Sequence, residues 1–352
     1  MKKENTIKRK KIHLDNTSCI GKNLSGSALI LSTLYNSKPL HVSGSLLSEK
    51  LGISRVAVWS RINKLRKSGI KITGIRNLGY RLDAESNELN KNLLNMWLNN
   101  IRAPQCKLIG YDSIDSTNNE AEKLLSNHTS QKALVVFANE QTDGKGRLGK
   151  NWMSPAIGNI YLTVGVKPNV EILKLRMLTL YLGLKISDML NAFIGEDKVN
   201  IKWPNDIILD GKKIGGILTE AKIDSERINS LLIGIGLNVN NKPTVPKALS
   251  KIKISSLSDE INKNISVNEM SARLISTVTN AYASAMESSI DSYVMANWPN
   301  YDYLKNKNIT VLNGSKKENG KVRGLDSKGN LRITTKNNVE KTFSAGEITI
   351  NF

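Results

Sequence analysis

The sequence predicts a multidomain α+β protein with an amino-terminal winged helix-turn-helix, a central mixed sheet and a small carboxy-terminal β-barrel. The length of 352 residues suffices for two or three domains. Near the amino terminus, two short helical patterns precede an alternating strand pattern, and from Ile309 onwards short alternating strands are divided by Asn-Gly pairs that favour tight hairpins. We predict a disordered basic tail over 1–25, the winged helix-turn-helix over 26–84, the central domain over 85–303 and the barrel over 304–352.

Positive charge is concentrated at the amino terminus. Residues 1–82 contain 17 lysines and arginines against three acids, a net charge of +14, whereas the whole chain carries +20, which leaves +6 for the other 270 residues. Such a concentration indicates a polyanion partner for this segment. The competing interpretation is a generally basic proteome with solvated lysines.

The first domain is predicted from apolar spacing. Ser27 to Tyr35 indicates a short helix, Gly52 ends a second helix, and Ser54 caps a third whose apolar residues repeat at helical spacing. Two short helices across a glycine-containing turn predict a helix-turn-helix, and the alternation from Ile70 to Leu82 predicts a β-hairpin wing. The domain serves DNA binding or, as the alternative, protein contacts. The candidate DNA-contacting residues are Ser54, Arg55, Ser60, Arg61, Lys64 and Arg76.

The remaining composition favours a cytoplasmic protein. Two cysteines, Cys19 and Cys106, are too few for a disulfide framework or a metal cluster, and three scattered histidines form no metal motif. We find no apolar run of the ~20 residues needed to span a bilayer. The basic start is not followed by an apolar core, so we expect no secretory signal and no membrane partner.

A glycine-rich basic loop follows the apolar run Ala133 to Phe137. Its glycines fit a dinucleotide-binding pattern and most of a phosphate-loop pattern, both of which require a helix to follow at once. Pro155 and Gly158 argue against that helix, and Ile160 to Val166 alternates like a strand. The sequence therefore predicts a loop between two strands that binds an anion in some other way.

Two further segments of the central domain carry candidate site residues. The stretch from Asp115 to Asn118 predicts a helix start capped by Asp115 or Ser116, which suits a polar, uncharged ligand but is by itself usually only a cap. Lys202 ends a strand in apolar surroundings, so we expect an anionic ligand or Asp206 to pair with it; a surface lysine is the alternative. Helices are predicted over 83–100, 171–193 and 268–286, with two helices covering about five strands of a mixed sheet.

Five signatures in this order resemble those of the bifunctional biotin–protein ligases of the biotin operon repressor type. They are Asp115-Ser116-Thr117-Asn118, Gln141 through Trp152, Lys202-Trp203-Pro204-Asn205-Asp206, Gly215-Gly216-Ile217-Leu218 and Gly236-Leu237-Asn238. The resemblance extends from about Ser27 to Phe352. It implies a central domain of the class II synthetase-like ligase fold and an SH3-like carboxy-terminal barrel.

The resemblance also implies an activity. Biotin and MgATP give biotinyl-5′-adenylate and pyrophosphate, and the adenylate then acylates a lysine of the biotin carboxyl carrier protein of a carboxylase. The implied biotin-binding residues are Ser116, Thr117, Asn118, Gln141, Lys145, Gly146, Arg147 and Lys202, of which Arg147 and Lys202 are catalytic. The implied adenylate- and ATP-binding residues are Trp152, Asn205, Asp206, Gly216 and Asn238, and Mg²⁺ arrives with ATP rather than in a protein metal site.

Regulation is implied as well. The adenylate promotes a homodimer, and the dimer represses genes of biotin synthesis or uptake by binding a two-fold operator. The family loop is often richer in arginine at the positions of Lys145 and Leu148, and lysine lacks the bidentate fork of arginine. We therefore expect looser retention of the adenylate.

Two alternatives remain open at this point. The first is a lipoate– or octanoate–protein ligase of the same fold, and the second is a non-enzymatic, biotin-sensing transcription factor.

Overall fold

The computed structural model describes residues 25–244 and 253–351. The predicted basic tail, 1–25, lies outside these ranges except for Ser25, whose hydroxyl accepts a hydrogen bond from the Ala28 amide at the start of the first helix. Three structural regions follow along the chain, in the order predicted: a helix-turn-helix, a central mixed sheet with helices, and a carboxy-terminal antiparallel sheet.

The amino-terminal region is a winged helix-turn-helix. Its elements are α1 (Gly26–Asn36), α2 (Gly44–Leu51), α3 (Arg55–Lys67), β1 (Ile72–Ile75) and β2 (Gly79–Leu82). Gly52 ends α2 in the left-handed conformation at φ 62°, and the Ser54 hydroxyl accepts from the Ala57 amide at 3.1 Å to begin α3. Val58, Ile62 and Leu65 bury the inner face of α3. The local signals in the sequence therefore formed the predicted motif.

The helix-turn-helix packs on α4 (Lys91–Asn100), which begins the central region. The rings of Tyr35 and Trp97 meet edge to face with centroids 4.7 Å apart, and Ser32 donates to Asn100 at 2.9 Å. The helix predicted over 83–100 is therefore too long at its start: residues 85–90 are extended chain that is hydrogen-bonded to the central region.

The central region contains one eight-stranded sheet. Its strands are β3 (Cys106–Ile114), β4 (Ala133–Gln141), β5 (Ile160–Val166), β6 (Val170–Glu171), β7 (Val199–Lys202), β8 (Asp206–Leu209), β9 (Lys212–Asp224) and β10 (Arg227–Leu237). The order is β3-β4-β5-β10-β9-β8-β7, with β6 paired to β10. Only β3 and β4 run parallel, so the sheet is mixed as predicted, although the estimate of about five strands was too low.

Five more helices complete the central region. They are α5 (Thr117–Ser126), α6 (Leu178–Ile194), α7 (Leu257–Ile261), α8 (Val267–Glu287) and α9 (Asp291–Tyr301). The predicted helix over 171–193 is divided into a short 3₁₀ turn, Ile172–Leu175, and α6. The sequence analysis missed α9, whose Pro299 lies in the last turn.

One segment, Ile172–Ile194, is long and apolar enough to cross a membrane by length and composition, with a mean hydropathy of 1.2. The expectation that no apolar segment has this length was therefore wrong. Most of the segment is buried, however, because α6 packs on α8, α9 and the sheet. Buried core helices meet the same criterion, so the segment is a core helix of the fold.

The carboxy-terminal region is a five-stranded antiparallel sheet. Its strands are β11 (Asn308–Asn313), β12 (Lys316–Leu325), β13 (Leu331–Thr334), β14 (Glu340–Phe343) and β15 (Glu347–Ile350). The order is β14-β13-β12-β11-β15, so β14 and β15 form the two ends of the hydrogen-bonded path, and the predicted barrel is not closed by strand pairing. The indole of Trp203 donates to the Gly329 carbonyl at 3.1 Å and joins this sheet to the central region.

Candidate functional site

A single cavity of about 610 Å³ collects every residue that the sequence analysis assigned to ligand binding or catalysis. The thirteen residues are Ser116, Thr117, Asn118, Gln141, Lys145, Gly146, Arg147, Trp152, Lys202, Asn205, Asp206, Gly216 and Asn238. They come from five separate stretches of the chain. The fold therefore brings together residues that lie far apart in the sequence and that were grouped only because they belong to the five signatures.

Neutral polar side chains form one end of the cavity, at the start of α5. Ser116 stands at the N-cap position but makes no side-chain cap bond. Instead, the Gln141 side-chain oxygen accepts from the Thr117 amide at 2.8 Å and from the Thr117 hydroxyl at 3.0 Å. The predicted capping role of Asp115 or Ser116 is thus performed by Gln141, which leaves the Ser116 hydroxyl in the cavity wall without that bond.

Two residues that were not predicted from the sequence, the buried Thr163 and the partly exposed Glu220, extend this polar end. Thr163 on β5 donates to Asn118 at 2.5 Å and lies 2.9 Å from the Thr117 hydroxyl. Asn118 in turn donates to the Glu220 carboxylate at 2.6 Å. Thr163 is fully buried within a strand of apolar residues, which explains why no sequence pattern marked it. The resulting chain of hydrogen bonds fixes the orientation of each group.

The glycine-rich loop is a small hairpin rather than a helix start. The Trp152 amide donates to the Gly144 carbonyl at 2.7 Å, and the Gly146 amide donates to the Lys150 carbonyl at 2.6 Å. A 3₁₀ turn, Arg147–Gly149, closes the tip, with Leu148 in the left-handed region at φ 56°. The sequence prediction that neither nucleotide-binding pattern applies is confirmed by this geometry, because no α-helix follows the loop before β5.

Lysines from two strands meet at the other end of the cavity. Lys202 at the end of β7 donates to the Ile348 carbonyl of the carboxy-terminal sheet at 2.9 Å. Lys213 at the start of β9 forms an ion pair with Asp206 at 2.6 Å. Of the two companions expected for Lys202, an anionic ligand or Asp206, the Asp206 carboxylate forms its ion pair with Lys213 instead, and the anionic ligand stays a prediction. Lys213 was missed in the sequence because it stands beside another lysine, Lys212, near a tight turn.

Burial changes the pKa of two cations here. Burial lowers the pKa of the Lys202 ammonium group, and the nearby Asp206 carboxylate opposes that shift. Burial also lowers the pKa of the Arg147 guanidinium, again opposed by Asp206. Cations that have lost water gain more from an incoming anion than solvated ones do.

The carboxy-terminal sheet supplies part of the cavity wall. Gly346, Glu347 and Ile348 line it, and Glu347 forms an ion pair with Lys150 of the glycine-rich loop at 2.5 Å. No residue of this sheet was predicted from the sequence to be a site residue. The contacts of Ile348 and Glu347 could not be predicted from the sequence, because they depend on how the carboxy-terminal sheet packs on the central region.

The Trp152 indole packs on two glycines of the central sheet, where no side chain covers the backbone. Gly216 and Gly236 face each other across β9 and β10, and the Trp152 indole contacts both. Near it, the Asn238 side-chain oxygen and the Trp152 ring nitrogen are buried without hydrogen-bond partners. The Asn205 side chain also lines the cavity, but its amide group already donates a hydrogen bond to the Ile217 carbonyl at 2.8 Å.

Metal-ligating side chains are not clustered in the part of the chain that the structure describes. Within residues 25–244 and 253–351, no group of three or more His, Cys, Asp or Glu residues could hold a metal ion.

The extended linker before α4 touches both ends of the glycine-rich segment. The Leu89 amide donates to the Asn139 side chain at 2.7 Å, two residues before Gln141. The Gly158 amide, just after the loop, donates to the Asn87 carbonyl at 2.8 Å. The linker thus connects the helix-turn-helix to the strand ends that hold the loop.

The six candidate DNA-contacting residues occupy one domain but differ in accessibility. Ser54, Arg55, Ser60, Lys64 and Arg76 are exposed. Arg61 is only partly exposed, because its guanidinium lies against Gly26 of α1, where a Cβ would overlap it.

Comparison with known protein families gives three matches along the chain. Residues 27–81 match a helix-turn-helix domain, residues 110–238 match the biotin/lipoate A/B protein ligase family, and residues 306–350 match the biotin protein ligase C-terminal domain.

Individual proteins are similar over most of the chain. The bifunctional ligase/repressor BirA of Bacillus subtilis is 32% identical over 307 residues, covering 86% of this chain and 92% of its own length. The protein of the same name from Escherichia coli is 28% identical over 308 residues, covering 88% of this chain and 92% of its own length. A biotin protein ligase from Aquifex aeolicus, solved in complex with biotin and ATP, superposes with a TM-score of 0.57 at 27% identity, covering 70% of this chain and 98% of that one.

Proposed function

Because this chain belongs to the family of BirA-type bifunctional ligase/repressors, we propose that it activates biotin with ATP and transfers it to a protein lysine. The observation that carries this proposal is the convergence of thirteen residues from five motifs on one cavity. The helix-turn-helix adds the second activity, repression of transcription in response to biotin.

The polar end of the cavity suits the ring system of biotin. A ureido group offers one carbonyl acceptor and two N–H donors and carries no charge, so it requires neutral partners. Ser116, Thr117, Asn118 and Gln141 supply hydroxyl and amide groups in an otherwise apolar wall. Because these groups are already oriented by hydrogen bonds, little side-chain entropy is lost on binding.

The cationic end suits the reacting groups. Formation of the adenylate requires the biotin carboxylate to attack the α-phosphorus of ATP, and pyrophosphate leaves. Both reactants are anionic, and Arg147, Lys202 and Lys213 offset their repulsion from fixed positions in the cavity wall. Lys145, Gly146 and Lys150 place further amide and ammonium groups on the loop that lies over this end.

The adenine base has a matching place beside Trp152. The unpaired Asn238 side-chain oxygen is a buried acceptor that fits the exocyclic amine of adenine, and the indole offers an aromatic face for stacking. Mg²⁺ would arrive on the phosphates of ATP and neutralise part of their charge, consistent with the small number of protein ligands that this ion commonly uses.

The glycine floor gives a test of ATP binding. A Cβ at Gly236 would overlap the Trp152 indole, whereas one at Gly216 would lie 3.4 Å from its nearest ring carbon, an ordinary contact. We expect Gly236→Ala to displace the indole and raise the KM for ATP at least ~10-fold, since stacking and one buried hydrogen bond are weakened together. Gly165→Ala is the matched control, because Gly165 lies on β5 outside the cavity and a Cβ there would make an ordinary contact with Leu125 at 3.4 Å. It is expected to change that KM less than ~3-fold. Steady-state pyrophosphate release measures both, and equal effects of the two variants would contradict the role of the floor.

The second step requires no nucleophile from the enzyme. The ε-amine of the target lysine attacks the acyl carbon of the adenylate, an amide bond forms and AMP leaves. The target is proposed to be the biotin carboxyl carrier protein of a biotin-dependent carboxylase. The enzyme holds the activated acid and excludes water until that lysine arrives.

A lipoate– or octanoate–protein ligase is the principal alternative, because the matched family includes both substrate classes. Neither of those acids carries a hydrogen-bonding head group. The Ser116 hydroxyl, which lines the cavity and makes no cap bond, would then face an apolar ligand that offers it no partner, at a cost in desolvation. Incubation with ATP and each acid separates the two: pyrophosphate release with lipoate but not with biotin would contradict the biotin proposal.

A non-enzymatic biotin sensor is the second alternative. A sensor has no need of cations around the reacting atoms, yet Arg147, Lys202 and Lys213 all line the cavity. The proposal of catalysis is therefore preferred. A protein that binds biotin but releases no pyrophosphate from ATP would instead be a sensor.

For the repressor activity, we propose that the adenylate promotes a homodimer whose two winged helices bind operator DNA of biotin synthesis or transport genes in the cytoplasm. Support comes from the helix-turn-helix geometry and the excess of positive charge in residues 1–82. The linker contacts at Asn139 and Gly158 give the loop a physical connection to the DNA-binding domain.

The linker connection is testable through Asn139. Asn139→Ala removes the acceptor for the Leu89 amide without touching the cavity, since Asn139 does not line it. We expect DNA affinity in the presence of biotin and ATP to fall ~5-fold or more, because one partly buried hydrogen bond between the linker and β4 is lost. The rate of adenylation should stay within ~2-fold, because the cavity is unchanged. Asn99→Ala is the control, since Asn99 bonds only within its own helix. Gel shifts that respond to biotin and ATP equally in both variants would contradict this connection.

A further inference from the structure

The outer face of α3 is unexpectedly apolar near its start. Val56 is 75% exposed and Trp59 is 56% exposed, one helical turn apart on the face opposite the buried residues Val58 and Ile62. Isolated exposed apolar residues are common. A tryptophan and a valine side by side on a polar helix, however, expose a considerable apolar area to water. Such a pair calls for a partner surface.

The arginines of the same helix are largely engaged within the domain. Arg66 donates to the Ile72 carbonyl at 2.9 Å and to the Asn63 side chain at 3.2 Å, and thereby holds the wing against α3. Arg61 lies against Gly26 of α1. Bidentate recognition of guanine needs a free guanidinium fork, so two of the three arginines of α3 are poorly placed for it. Arg55 is exposed at the first position of the helix.

Charge around this apolar pair identifies the class of partner. Lys64 and Lys67 are exposed further along α3, and Arg76 is exposed at the tip of the wing. Residues 26–84 contain 10 lysines and arginines against two acids, so the domain complements a polyanion rather than an apolar protein groove. The start of the second helix of a helix-turn-helix is the part that meets base edges in the major groove.

We infer that Val56 and Trp59 read the C5-methyl groups of thymine in the operator. The thymine methyl is the main apolar feature of the major groove, and apolar side chains are its partners. The two residues are ~4.5 Å apart along the helix axis, which matches thymines on the same or neighbouring base pairs at a spacing of ~3.4 Å. This inference rests on the proposed repressor function and assigns its base specificity to residues that the sequence analysis did not select.

The test begins with selection of duplexes from a random DNA pool by the full-length protein in the presence of biotin and ATP. Each thymine of the selected site is then replaced by deoxyuridine, which removes only the methyl group. We expect at least one replacement to weaken binding ~4-fold or more, the effect of about one buried methyl. Trp59→Ala or Val56→Ala should abolish that difference, so that the variant binds thymine and uracil sites equally.

Lys64→Ala is the matched control on the same helix. We expect it to weaken thymine and uracil sites to the same extent, since it contacts phosphate, and thus to preserve their ratio. Adenylation by all three variants should equal that of the unaltered protein, which shows that they fold. If a sequence is selected but deoxyuridine binds as well as thymidine, the inference is wrong and repression stands. If no sequence is selected, the repressor proposal itself fails and the inference fails with it.

Discussion

Lys213→Met is expected to slow pyrophosphate release from ATP and biotin by roughly 100- to 1000-fold, the usual effect of removing one fixed charge from a developing anion. Lys213 lines the cavity, pairs with Asp206 at 2.6 Å and lies over the Trp152 ring at 5.2 Å. These contacts hold the ammonium group between the places proposed for the adenine base and for the reacting carboxylate. Methionine keeps the length of the side chain and removes the charge.

The neighbouring Lys212 provides a matched control. Its ammonium group pairs with Glu260 at 2.8 Å and does not line the cavity. We expect Lys212→Met to change the rate less than ~3-fold, since it removes an equal charge that lies outside the cavity. Rapid-quench measurement of the adenylate separates chemistry from binding. Equal rates for the two variants would show that Lys213 has no part in the reaction.

Lys202→Met is expected to affect both the rate of adenylation and the stability of the protein. Loss of the Lys202 ammonium group should also reduce adenylation, but it additionally leaves the Ile348 carbonyl without its donor. The free energy of unfolding should fall by ~1 kcal/mol, the usual net contribution of such a bond. A comparison of thermal unfolding therefore separates the chemical role of Lys202 from its role in holding the carboxy-terminal sheet.

Arg147→Ala is expected to have the second large effect, on both formation and retention of the adenylate. Arg147 stands at the tip turn of the glycine-rich hairpin, and burial lowers the pKa of its guanidinium, so the group has lost part of its hydration. An anion that binds it recovers that loss, which makes the contact stronger than one in solvent. We expect adenylation to fall at least ~100-fold and the fraction of adenylate free in solution to rise.

Two substitutions bracket this result. Arg147→Lys keeps the charge without the bidentate fork and should lie between alanine and the unaltered protein. Lys145→Arg adds a fork on the same hairpin and should slow the escape of the adenylate, which follows from the expectation of looser retention. Filtration of the enzyme after a single turnover measures free and bound adenylate. If Arg147→Ala retains the intermediate as tightly as the unaltered protein, the loop is not the clamp that we propose.

Local chemistry explains most of what could be predicted from the sequence. The cap at Ser54, the left-handed Gly52 and the turn at Asn313-Gly314 act within a few residues, and each formed as expected. The second Asn-Gly pair, Asn319-Gly320, makes no turn, because it lies within β12 and pairs with β11. Pro155 and Gly158 likewise excluded a helix after the glycine-rich loop by their own backbone restrictions. The glycine-rich loop and Lys202 were marked by local interruptions of apolar patterns, whereas the other site residues were assigned through the family resemblance.

The missed residues depend on contacts between distant segments. Thr163 looks like any strand residue, and the packing of α5 on β5 brings it to Asn118 across 45 positions of the chain. Glu347 and Ile348 meet Lys150 and Lys202 because a separate sheet packs on the cavity. Strand register places Asp206 opposite Lys202, yet its carboxylate pairs with Lys213, while the Lys202 ammonium group donates to the Ile348 carbonyl of the carboxy-terminal sheet.

The most direct test of the central claim is transfer of labelled biotin by the purified protein to a biotin carboxyl carrier domain. With ATP and Mg²⁺, we predict a stable amide on the single target lysine, formed at least ~100 times more slowly by Lys213→Met and at nearly the normal rate by Lys212→Met. Label that fails to appear on the carrier domain, or that appears equally fast with Lys213→Met, would contradict the account.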